Sequence, residues 1–183
     1  MFAERTKQHG VLQSGAVPPL SVGRPTAGDG GALWRLAVDT GVLDVNSSYA
    51  YLLWVRDFAA ASAVARAGGE VVGFVTGYAR PDAPGTLFVW QVAVAERHRG
   101  RGVARAMLDD LVGRGTTFVE TTVTATNEAS IRLFTALARD HGVRHTCEPL
   151  FTEDLFPDSH EAEELHRLGP WPGSPRTRTP GET

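Results

Sequence analysis

Thr86 to Val112 reads TLFVWQVAVAERHRGRGVARAMLDDLV, a strand running through a Gly- and Arg-rich turn into an amphipathic helix. From Leu87 to Ala95 the chain is rich in β-branched and aromatic residues. Alternation puts Phe88, Trp90, Val92 and Val94 on one face and Leu87, Val89, Gln91 and Ala93 on the other, as in a central strand packed on both sides. Beyond the turn, Val103, Ala104, Met107, Leu108, Leu111 and Val112 recur at helical spacing, so one stripe of that helix is laid on a sheet. The turn itself is Arg97-His98-Arg99-Gly100-Arg101-Gly102. Its glycines permit a sharp backbone reversal and leave amides unshielded by a Cβ. The first turn of the following helix offers unpaired N–H groups and the positive end of its dipole to an anion. With Arg97, Arg99 and Arg101 beside it, this stretch predicts a pyrophosphate site.

Elements on either side extend the pattern. Leu20 to Pro25 reads as a short strand; GGALWRLAVDTG, with Asp29 as N-cap and Gly41 as terminator, reads as a helix. Asn46 or Ser47 can cap a second helix through Phe58. Ser62 to Arg66 and Glu70 to Tyr78 form a hairpin across Ala67-Gly68-Gly69. After the central helix, Thr117 to Thr124 is a strand, Asn127 or Thr126 caps a helix holding Ile131, Leu133, Phe134 and Leu137, and His145 to Phe151 is a further strand. The acidic segment from Thr152 to Leu168 is expected to end in a short helix. Strands and helices alternate through this half, which implies parallel pairing with crossover helices within an α/β arrangement of the mixed (α+β) kind, a central mixed sheet flanked by helices. One domain over 19–169 is expected, between disordered tails at 1–18 and 170–183.

Bulk properties narrow the function. A net charge of −3 and a pI near 6.1 leave the basic turn a local feature and argue against nucleic-acid binding. The one cysteine, Cys147, has no partner for an internal disulfide, the first ten residues lack the apolar run of a secretory signal, and no stretch is long enough to span a membrane. A cytoplasmic location follows as the expectation. His160-Glu161 begins like a zinc-protease motif, but position 164 is Glu rather than His, and no metal site is expected. Cys147, in a strand without a basic neighbour in its local sequence, reads as a packed thiol.

The central turn resembles the acetyl-coenzyme A signature of the GCN5-related N-acetyltransferases, the GNAT superfamily, which reads Gln or Arg, two residues, Gly, one residue, then Gly or Ala. Arg97, Gly100 and Gly102 stand at those positions. The resemblance implies the GNAT acyl-CoA N-acyltransferase fold with acetyl-CoA as donor. It implies pantetheine contacts at Val92 and Val94, and phosphate contacts at Arg97, Arg99, Gly100, Gly102 and Val103. Asn127 matches a position that contacts the coenzyme in relatives, with helix capping as the alternative. Further segments, DVNSSYAYLL at 44–53, GFVTGYARP at 73–81, LFVWQVAV at 87–94, TTVTATNEASIRLF at 121–134 and HEAE at 160–163, resemble the L-2,4-diaminobutyrate acetyltransferases. That resemblance implies a homodimer that acetylates the γ-amine of L-2,4-diaminobutyrate in ectoine (compatible-solute) biosynthesis.

Such a substrate carries two ammonium groups and a carboxylate, so its pocket needs acids and an aromatic face. Asp44, Tyr49 and Trp90 are the leading candidates, because a Trp face over a desolvated cation contributes on the order of 2 kcal/mol. Glu128, Glu153, Asp154, His160 and Glu161 join them. Each has an ordinary alternative: a core aromatic for Trp90, a helix-start charge for Asp44, packing for Tyr49, a water-facing position for Glu128 and an acidic surface helix for Glu153, Asp154, His160 and Glu161. The expected chemistry is direct attack of a neutral amine on the thioester, with backbone N–H groups near Val92 stabilising the oxyanion. Many superfamily members protonate the departing sulfur with a Tyr on the helix after the fifth strand, but this sequence has Phe134 there. Water or Tyr49 remains for that role, and the general base is unassigned. Two competing readings are an acetyltransferase for another small amine and a coenzyme-binding sensor without turnover.

Overall fold

The computed structural model describes residues 19–172, so the expected tail at 1–18 and residues 173–183 of the tail expected at 170–183 lie outside the described residues. The elements are β1 (Leu20–Gly23), α1 (Gly30–Thr40), α2 (Ser48–Asp57), β2 (Ala63–Ala67), β3 (Glu70–Ala79), β4 (Thr86–Val94), α3 (Val103–Val112), β5 (Phe118–Thr124), α4 (Glu128–His141), β6 (His145–Phe151) and β7 (Glu163–Leu168). They build one seven-stranded sheet in the order β1-β2-β3-β4-β5-β7-β6. Only β4 and β5 pair in parallel, joined by α3 as the crossover helix. Every other neighbouring pair is antiparallel, so the sheet is mixed as expected, but the parallel pairing expected through its second half is confined to β4 and β5, because β7 enters between β5 and β6 in the opposite direction.

Two apolar clusters sandwich the sheet. One, with Val75, Val89, Met107, Leu108, Leu111, Val119, Phe134, Leu137 and Leu168, lies under α3 and α4. The other, with Leu33, Ala37, Tyr51, Val55, Phe74 and Ala93, lies under α1 and α2. Asp29 holds the N-cap position of α1, but its carboxylate turns away from the helix. It accepts from the backbone N–H and hydroxyl of Thr26 and from Arg66 at 2.6 Å. Burial would raise the Asp29 pKa, yet those donors hold it below the ordinary carboxylate value.

Three expectations are corrected. First, the alternation read along β4 does not persist, because register with β3 passes from Gln91↔Thr76 to Val89↔Gly77 and leaves Trp90 as a bulge. A bulged residue shifts the side-chain phase by one. Leu87 and Val89 before it and Val92 and Val94 after it all meet the α3 cluster, while Trp90 is turned toward α2. Second, Glu163–Leu168 is a strand, not a helix: inserted between β5 and β6, it bonds to both neighbours, and this pairing overrides local propensity. Third, the folded region continues past 169. Trp171 is buried, donates its backbone N–H to the Thr117 carbonyl at 2.9 Å and meets the His141 ring edge-on.

The feature that positions the site is a parting of strands. β4 and β5 pair only over Thr86–Phe88 and Phe118–Glu120, then separate, leaving the edge of β4 beyond the bulge without a β5 partner. The paired end is held by Glu120, 1% exposed in its side chain, which accepts from Arg80 at 2.8 Å and Arg167 at 2.7 Å.

Candidate active site

The phosphate turn is built as its sequence demands. A 3₁₀ turn over Glu96–His98 leads into Gly100 at φ +70° and Gly102 at φ +75°, left-handed conformations that favour glycine. Gly102 is the N-cap of α3, so the N–H groups of the first turn point out of the helix. Val94, Arg99, Gly100, Gly102, Val103 and Leu133 line a groove at this place. Arg99 is steadied there by donating Nε–H to the Val94 carbonyl at 3.2 Å. Arg97 is less central, since its guanidinium pairs with Glu70 at 2.6 Å. Asn127 caps α4, its Oδ1 accepting from the Ser130 N–H at 3.1 Å.

Beside the parted strands a second group assembles from distant segments. The loop before α2 carries Asp44, the connection between β6 and β7 carries His160, and Glu163 is the first residue of β7. His160 Nε2 lies 3.9 Å from Asp44 Oδ2 and 3.6 Å from Glu163 Oε1. The imidazole stacks on Phe156 at 4.3 Å and donates Nδ1–H to the Glu161 carbonyl. That carbonyl first, then Glu163, Asp44 and Asp158, raise the His160 pKa above its ordinary value. The Asp44 carboxylate is 95% exposed. That of Glu163 is 16% exposed, and its Oε2 is buried with no partner, a poised acceptor rather than a satisfied one. Glu153, Asp154 and Asp158 line the same acidic depression as His160 and Glu161, and Glu161 accepts from the Thr126 hydroxyl at 2.7 Å.

The bulge supplies the aromatic wall. Trp90, 40% exposed, lies 4.3 Å from Trp54 of α2, ring centroid to centroid. Asn46, Ala50, Tyr51, Trp54, Thr76 and Trp90 enclose a small cavity in which Trp54 Nε1 and Thr76 Oγ1 are buried without partners. Tyr51 donates to Gln91 Oε1 at 3.0 Å, and Gln91 Nε2 donates to the Asp44 carbonyl at 2.9 Å. This relay fixes the loop bearing Asp44 against β4.

The structure thus gathers Asp44, His160, Glu161, Glu153 and Asp154, with Trp90 on the adjoining wall. Tyr49, 65% exposed, and Glu128, paired with Arg132 at 2.7 Å on the surface of α4, stand apart. Sequence reading missed Glu163, although it closes the HEAE segment, because a helix was expected there. It also missed Tyr51, Trp54 and Thr76, which lie in segments that read only as a second helix and a hairpin strand.

Residues 32–138 match the model of the Acetyltransferase (GNAT) family. The chain belongs to the GNAT family. Among its relatives, this GNAT chain is 55% identical to the L-2,4-diaminobutyric acid acetyltransferase of Streptomyces coelicolor, over 82% of the chain and 93% of that protein. It is 41% identical to the enzyme of the same name from Halalkalibacterium halodurans, over 82% of each. A solved diaminobutyrate acetyltransferase, EctA from Paenibacillus lautus in complex with its substrate L-2,4-diaminobutyric acid and coenzyme A, superimposes with a TM-score of 0.79. It is 42% identical and covers 84% of this chain and 96% of its own. As a GNAT acetyltransferase the protein uses acetyl-CoA as donor, and among the described residues no helix is long and apolar enough to cross a membrane.

Proposed function

We propose that this acetyltransferase moves the acetyl group of acetyl-CoA to the γ-amino group of L-2,4-diaminobutyrate, the step that supplies N-γ-acetyl-diaminobutyrate for ectoine synthesis, in the cytoplasm and as a homodimer. The observation that carries the acceptor assignment is the grouping of Asp44, His160 and Glu163 beside Trp90. Two carboxylates and an indole face suit a diamine better than a neutral or anionic acceptor. The high identity to enzymes named for this substrate supports the same reading.

The mechanism is direct transfer. The pantetheine arm lies along the unpaired edge of β4 at Val92 and Val94, with the pyrophosphate on Arg99, Gly100, Gly102 and Val103. Asp44 receives one ammonium group and Trp90 faces the chain of the substrate. Glu163, held out of water with one oxygen unpartnered, takes the proton from the γ-ammonium, whose ordinary pKa keeps it protonated at neutral pH. The free amine then attacks the thioester carbonyl, and an N–H near Val92 faces the developing oxyanion. The carbon–sulfur bond breaks as the tetrahedral intermediate collapses, the acylated nitrogen passes its remaining extra proton to water, and the coenzyme A thiolate collects a proton from water. Phe134 is buried in the core and Tyr49 is turned outward, so neither is assigned that role.

Turnover of acetyl-CoA with diaminobutyrate, ornithine, lysine and spermidine, with the acetylated nitrogen located by NMR, tests the proposal. Selective γ-acetylation of diaminobutyrate is expected. Preference for another amine would overturn the acceptor assignment and leave the coenzyme turn intact, and binding of acetyl-CoA without any turnover would make the protein a sensor.

A further inference from the structure

On the opposite face of β7 from Glu163, the pairing of the last two strands collects a second set of reactive side chains. Cys147 stands directly across from His166, and His145 across from Leu168. Glu164 shares the face of His166 because it is two residues away on the same strand. Cys147 Sγ lies 3.5 Å from Glu164 Oε2 and 3.6 Å from His166 Nε2, and the three ligand atoms all fall within 4.8 Å of one another. The expectation of a packed thiol is corrected here: Cys147 is exposed on an edge strand, and its basic neighbour comes from the adjacent strand.

We propose that Cys147, Glu164 and His166 form a binding site for a thiophilic divalent transition-metal ion of the Zn²⁺ kind. Bonds of about 2.3 Å to sulfur and about 2.0 Å to nitrogen or oxygen, opened to a tetrahedral angle, place sulfur roughly 3.5 Å from each of the other ligands. The two separations observed from Cys147 have that value before any ion is added. A thiolate, an imidazole and one carboxylate form a donor set that selects Zn²⁺ over Mg²⁺ or Ca²⁺. His166 is oriented for the role, because its Nδ1 lies 2.9 Å from His145 Nε2. When Nδ1–H donates to His145, the Nε2 lone pair is directed at Cys147. Such a partner fixes the tautomer of a metal-bound histidine. The exposed side of Cys147 leaves a fourth position for water. Binding replaces the thiol proton, which passes to solvent, and forms the metal–sulfur bond.

The ion is not a participant in acetyl transfer, since Asp44, His160 and Glu163 lie on the other side of the sheet. It cross-links the edge strand β6 to β7, the strand that carries Glu163 into the acceptor group. The untagged protein titrated with Co²⁺ is the test, with Zn²⁺ added afterwards as competitor. One Co²⁺ per chain is expected, with a thiolate-to-metal charge-transfer band and intense tetrahedral d–d absorption, both abolished by Zn²⁺. Cys147→Ser, at an exposed position and expected to keep the native circular dichroism spectrum, should remove the band and weaken binding more than tenfold. His145→Gln should retain the band and weaken binding about tenfold. Turnover of diaminobutyrate should be the same with and without saturating Zn²⁺. An octahedral spectrum without a sulfur band, equal binding by Cys147→Ser, or Zn²⁺ inhibition that is identical in both proteins would overturn the proposal. The last result would place the ion on His160 and Glu163 instead.

Discussion

The coenzyme turn and the acceptor group share strand β4, yet they are made in opposite ways. The turn is contiguous: Val94 to Val103 holds the strand edge, both left-handed glycines, Arg99 and the start of α3. The acceptor group draws Asp44 from one loop, Trp54 from α2, Trp90 from a bulge, His160 from the last connection and Glu163 from the start of β7, and it exists only after the sheet has closed. In the proposed assignment the first binds a cofactor common to a whole superfamily through backbone that few sequences need to vary. The second, as proposed, confers acceptor choice through side chains on separate segments, each of which can change without disturbing the turn.

Substitutions should therefore separate the two regions. The largest effect is expected for Glu163→Gln, which keeps the shape but not the base. A fall in kcat of about a hundredfold or more, with acetyl-CoA affinity within twofold of the native value by calorimetry, fits the assignment; a change in KM alone would make Glu163 a binding group. Trp90→Ala should raise KM for diaminobutyrate by roughly thirtyfold, the equivalent of about 2 kcal/mol of cation–π attraction, and affect coenzyme binding little. Equal losses for both ligands would instead mark Trp90 as packing for α2 through Trp54. Arg99→Glu is the converse experiment: about tenfold weaker acetyl-CoA binding that grows at low salt, with KM for the diamine nearly constant.

A smaller effect concerns pH. His160 is held protonated above its ordinary pKa by the Glu161 carbonyl and the surrounding carboxylates. Its charge competes with a cationic substrate for Asp44 and Glu163. The stabilisation from protonated His160 is present below the unfolded value, about 6.5, and is lost as pH rises through the higher folded value. KM for diaminobutyrate should fall across that same interval, and His160→Gln should flatten the fall; a wild-type profile unchanged by the substitution would remove His160 from the acceptor group. The least change in the acetyl-transfer kinetics is expected from Tyr51→Phe. It loses the bond to Gln91 that steadies the Asp44 loop, a destabilisation of about 1 kcal/mol readable as a drop of a few degrees in Tm.

The same contrast explains what could be read from the chain. The turn was legible because its chemistry requires glycine at positive φ and a helix start at fixed spacing. Asp44 and His160 were legible as a resemblance, and the fold brings them together. Trp90 was identified but assigned to the wrong face, because a bulge leaves no mark in alternation until the partner strand is known. Glu163 was hidden because helix and strand compete over EELHRL, and only the slot between β5 and β6 decides. The Cys147 cluster has no motif at all, since its spacing is set by strand register.

The claim that two remote segments make one acceptor site is tested most directly by a double-mutant cycle of Asp44→Asn and Glu163→Gln, read as kcat/KM for diaminobutyrate. If both carboxylates act on one bound diamine, the losses should be coupled, with the double variant departing from the product of the single effects by about fivefold or more. Independent, multiplicative losses would contradict it and leave the two segments as separate features of the surface.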